Sequence, residues 1–136
     1  MTPPIELAAA LRHQAQGVHC LQAAAELLIA QTWLQRSDFT GRFVTLEHGL
    51  FDGLPMATVD WTAAITALDN GTLPCSAGEQ RMLRIIASLA DGVPVDLRQT
   101  VTGIDQHKVD LLVIAIRRAV GQRRIALLPE SRGRDT

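Results

Sequence analysis

The stretch that decides the fold runs from Ser76 to Gly121, SAGEQRMLRIIASLADGVPVDLRQTVTGIDQHKVDLLVIAIRRAVG. Ser76 followed by Glu79 has the spacing of a capping box, in which the hydroxyl accepts from a free backbone N–H and the carboxylate returns to the cap. Met82, Leu83, Ile85, Ile86 and Leu89 then recur on one helical face, with Arg81, Arg84 and Ser88 opposite, until Asp91-Gly92 stops the helix. Pro94 blocks continuation. Asp96 caps a short helix beginning at Leu97 and closing near Gly103. Asp105 caps a third helix, whose Val109, Leu112, Val113, Ile116 and Val120 make a broad apolar side before Gly121.

Upstream, Asp60 caps a helix carrying Trp61, Ala64, Ile65 and Leu68 on one side, and Asn70-Gly71 ends it. The segment from Phe39 to Asp60 is different in kind. Gly41, Gly49, Gly53 and Pro55 punctuate it, and Phe43 to Leu46 favour a strand. Pairing of Phe43–His48 with Met56–Val59 across Gly49–Gly53 gives a small β-hairpin at 43–59; an ordered loop is the alternative. Earlier still, helical spacing of Ile5, Leu7, Ala8, Leu11 and Ala15 follows Pro3 and Pro4, giving a helix over about 5–16. From Val18 to Arg36 the apolar residues spread over most of a helix circumference. Such a helix belongs at the centre of a core or at a subunit contact. The expected fold is mainly α: a single-domain bundle of five or six helices over 1–130, with 122–128 extended and 131–136 a disordered tail.

A chain of 136 residues, 47% hydrophobic and 20% charged, has the composition of a globular protein, and its length suffices for one self-sustaining core. Cys20 and Cys75 form neither a disulfide framework nor a CxxC zinc half-site. With no basic leader at Met1–Glu6 and no apolar run of membrane-spanning length, the expectation is a reduced, cytoplasmic protein with no membrane partner. Aromatic residues are 4% of the chain, and there is no Tyr, which disfavours a surface that stacks single-stranded bases.

The net charge of −1 hides an asymmetry. Residues 1–80 carry a net −5, and the positive excess of the remainder all follows Ile116, in Arg117, Arg118, Arg123, Arg124, Arg132 and Arg134. Arginines at a helix C-terminus complement its dipole, and a cationic end can also meet phosphates or an acidic partner. Twelve of the thirteen basic residues are Arg, a usage that gives multi-donor contacts and that a GC-rich genome also produces.

Enzyme signatures are weak. His13, His19 and Cys20 follow no metal-ligand spacing, Glu47-His48 with Asp52 reads as a polar loop, and the glycines match no phosphate-binding pattern. No catalytic residue, cofactor or metal is assigned.

Two resemblances bear on function. The run LPCSAGEQRMLRIIASLADGVPVDLRQTVTGID, Leu73 to Asp105, together with Val59-Asp60-Trp61, is similar to small uncharacterised helical proteins of high-GC actinobacteria, and that likeness implies no activity. The segment Ala87–Arg118 resembles the trihelical core of winged-helix regulators, which implies that Asp105, Gln106, His107 and Lys108 open a recognition helix.

The leading expectation is a non-enzymatic helical interaction domain that self-associates as a homodimer, resting on the over-apolar segments 18–36 and 106–120. The second is a DNA-binding transcriptional regulator that uses the helix-turn-helix-like unit at 76–120. Its contacts to nucleic acid or an acidic protein partner fall on Gln106, His107, Lys108, Arg117, Arg118, Arg123 and Arg124. Asp105 and Asp110, which repel phosphate, weigh against it.

Overall fold

The computed structural model describes residues 2–121. In chain order the elements are α1 (Pro4–Gln14), α2 (His19–Ala30), a 3-10 turn (Trp33–Gln35), α3 (Ser37–Phe43), β1 (Val44–His48), β2 (Pro55–Val59), α4 (Trp61–Asp69), α5 (Ala77–Asp91), α6 (Leu97–Val101) and α7 (Gln106–Ala119). The mainly α fold with one small hairpin is the one expected. The expected extension at 122–128, the tail at 131–136, Arg123 and Arg124 lie outside the described residues.

The local caps form as their spacing dictates. Asp60 accepts from the Ala63 N–H, Asp96 from Gln99 and Asp105 from Lys108, and both halves of the Ser76–Glu79 box are made. Gly92 takes the left-handed conformation (φ 69°) that ends α5, which a side chain would strain.

Two expectations are corrected. The single helix over 18–36 is broken: α2 stops at Ala30, Thr32 turns left-handed at φ 61°, and Trp33 and Leu34 swing into the core through the 3-10 turn. A β-branched residue in that region is strained. The cause is aromatic packing: Trp33, Phe39, Phe43 and Trp61 form a cluster with ring centroids 5.1–6.4 Å from Phe39. Residues 37–43 are likewise a helix and not loop or strand, because Phe39 and Phe43, four apart, both bury their rings from one helical face. Phe43 therefore closes α3, and β1 begins at Val44. The hairpin is antiparallel, pairing Val44 with Val59 and His48 with Pro55.

The hairpin rests on α1 through β2, whose Ala57 is fully buried. Behind α1 lies α2, packed against α5 and α7; α5 also carries α4 and α6. The core runs through Leu7, Leu11, Leu28, Met82, Leu83 and Ile86. Ala23, Ala24 and Ala25 let the neighbouring helices approach α2 closely. Among the described residues, no helix is long and apolar enough to cross a membrane.

Candidate functional site

α7 carries five of the seven residues expected to form a contact surface, and the helix spreads them. Each residue turns the helix by about 100° and rises about 1.5 Å. Gln106, His107 and Lys108 therefore point in three directions, and Arg117 lies about 16 Å along the axis from Gln106. They do not form one patch. Gln106 donates from Nε2 to Asp110 Oδ1 at 2.9 Å, and Lys108 places Nζ 3.2 Å from Asp105 Oδ2. The Asp105 carboxyl is held below its ordinary range by the Lys108 backbone N–H and then by its ammonium. His107 is exposed. Two of the three groups placed for base contact are thus tied to acids of their own helix. Those ties, at i,i+3 and i,i+4, are readable from the sequence.

At the other end, Arg118 lies beside Glu26 of α2 and lines a shallow pocket with Arg12, Gln22 and Ala25. Arg12 of α1 donates to both Glu26 oxygens, at 2.7 and 3.1 Å. That pairing, with a smaller contribution from Arg118, holds the Glu26 carboxyl below its ordinary range. One acid of α2 is accordingly shared by cations from α1 and α7. Among the described residues Arg117 makes no ion pair.

The unit α5–α6–α7 has the helical order expected of 76–120, but α7 lies mainly against α2. Its core-facing residues are Leu112 and Ala115. Of its other apolar residues, Leu111 and Ala119 pack partly against the core and Val109 is half-buried, whereas Val113 is 44% exposed, Ile114 52%, Ile116 51% and Val120 70%. On a helix, Val109, Val113, Ile116 and Val120 fall within a strip about 60° wide. Of the broad apolar side expected over Val109, Leu112, Val113, Ile116 and Val120, Leu112 alone is buried.

A second exposed apolar spot is the hairpin tip, where Leu50 and Phe51 are fully solvent-facing. Asp52 in that tip accepts from the Leu54 N–H and approaches His13 Nε2 of α1 at 3.1 Å. His48 is not its partner. Cys20 and His19 sit where α2 begins, beside the end of α7, and Cys75 is half-buried, with burial pushing its thiol up and away from the reactive thiolate. No group of three or more His, Cys, Asp or Glu among the described residues is placed to hold a metal ion. A cleft of about 270 Å³ opens between α1, α2 and β2 and is walled mostly by Leu and Ala, with Gln14 and Asp91 also in its lining. No family model, curated protein or solved structure matches the chain.

Proposed function

We propose that the protein is a non-enzymatic helical interaction domain that pairs with a second copy of itself through α7. The observation that carries this reading is the regular apolar stripe of α7, in which Val113, Ile116 and Val120 are exposed and Val109 is half-buried at its start. A contiguous exposed apolar surface on a soluble domain marks an interaction site. The four-three-four spacing is that of a helix–helix seam. β-Branched residues at such positions also lower helix propensity, a cost with no return where they remain in water.

The DNA-binding reading has less support, because a helix lying in a groove presents polar side chains and here Gln106 and Lys108 are each engaged with an acid. The test is size-exclusion chromatography with light scattering across a concentration series. The wild-type chain is expected to be a dimer, and Val113→Glu with Ile116→Glu a folded monomer of unchanged far-ultraviolet circular dichroism. A wild-type chain that stays monomeric at every concentration overturns the reading.

A further inference from the structure

Given that reading, the charges beside the stripe fix the direction in which two copies meet, and we infer that α7 pairs antiparallel with α7 of a second copy, Asp110 of each facing Arg117 of the other.

The stripe has two unlike borders. On one side lies Leu112, buried against the body of its own chain. On the other side, at about 60–100° around the helix from Val109, lie Gln106, Asp110 and Arg117. Asp110 and Arg117 are seven residues apart, so they stand on the same flank about 10.5 Å from each other along the axis. Asp110 is exposed and held in place by the Gln106 amide, and Arg117 makes no ion pair among the described residues. This border holds one acid and one base, whereas the charges on the Leu112 side, Lys108 and the capping Asp105, are already paired with each other.

When two identical helices pack through the same stripe, the same flanks face each other in an antiparallel pair. A two-fold axis near residues 114–115 sets Val113 against Ile116 and Val109 against Val120, so both ends of the stripe are covered. The same register brings Asp110 to within about 3 Å, along the axis, of Arg117 in the second copy. Symmetry makes that pair twice. A parallel pair instead turns this flank toward the partner's opposite, Leu112-bearing border, where no acid stands level with Arg117, and it also aligns the two helix dipoles unfavourably. Arg117 therefore gains an acidic partner in the antiparallel orientation and none in the parallel one.

The experiment is charge reversal in the full chain, with dimer affinity measured by sedimentation equilibrium at low salt and helical content checked by circular dichroism. Asp110→Arg and Arg117→Asp are each expected to weaken dimerisation at least about tenfold, since each converts two attractions into two repulsions. The double variant should return to within a few-fold of wild type. An equimolar mixture of the two single variants should form heterodimers, with Asp and Arg matched at both contacts. A dimer whose single variants associate as tightly as wild type overturns the antiparallel register while leaving self-association standing. A chain monomeric at all concentrations overturns both, and assigns the stripe to a different occupant.

Discussion

α2 and α7 look alike as sequences, both apolar on more than one face, and the fold treats them in opposite ways. α2 is surrounded: α1, α5, α7 and the 3-10 turn close over it, and Ala23, Ala24, Ala25, Leu27 and Leu28 are all buried. α7 rests on α2 along one side only, and two of its residues are buried. The surplus apolar surface of the first helix is used inside the chain, and that of the second is not. Composition already differs between them. α2 offers alanines, which allow close approach from several directions, whereas α7 offers Val and Ile, which suit a seam with one partner.

The comparison breaks most visibly at Leu28, fully buried in α2. Leu28→Ala should cost about 3 kcal/mol of folding stability, within the usual 2–5 for such truncations, and the loss should not depend on protein concentration. The Val113→Glu and Ile116→Glu pair should instead change the denaturation midpoint of dilute protein by under about 1 kcal/mol while abolishing its concentration dependence. Equal losses in both variants, in dilute protein, would erase the distinction between the two helices.

The ends of the helices sharpen it. α2 starts at Val18, with no side-chain cap, so burial alone holds it, whereas α7 starts at Asp105, a capping side chain. Asp105→Ala is expected to destabilise by about 1 kcal/mol, and Val18→Ser to gain a few tenths, both read as shifts in urea midpoint.

The smallest effect is expected at Glu26, which joins the two helices electrostatically. Arg12 holds its folded-state pKa below the ordinary 4.5, so the tie contributes fully above pH 4.5 and is lost as pH falls through the lowered folded value. Glu26→Gln should be less stable than wild type at pH 7 by no more than about 0.5 kcal/mol, because solvent screens so exposed a pair, and the two should converge in acid. A gap that widens in acid reverses the assigned sign.

What the sequence makes legible is local. The caps at Asp60, Ser76, Asp96 and Asp105 act over three residues, and all four form. The hairpin is legible to within one residue of its strand starts, because alternation and turn chemistry are short-range. The break at Thr32 and the helix at 37–43 escape such reading, since the force behind them is an aromatic cluster drawn from residues 33 to 61. The placement of α7 escapes for the same reason: its partner, α2, lies some ninety residues earlier. The candidate contact residues were legible as types, but their mutual separation follows from the helix that carries them.

The aromatic cluster has an optical consequence. Trp33 and Trp61 flank the same Phe39, both are buried, and the Trp33 indole N–H has no hydrogen-bond partner among the described residues. Tryptophan emission from this protein reports on one neighbourhood, beneath α3 and the hairpin, and should be blue-shifted while that neighbourhood is dry. α7 contains no aromatic residue and is dark to this signal. Detachment of α7 from α2 would thus reduce far-ultraviolet ellipticity and leave the emission maximum in place. Non-coincidence of the two traces during mild denaturation separates peeling of this one helix from collapse of the core it covers.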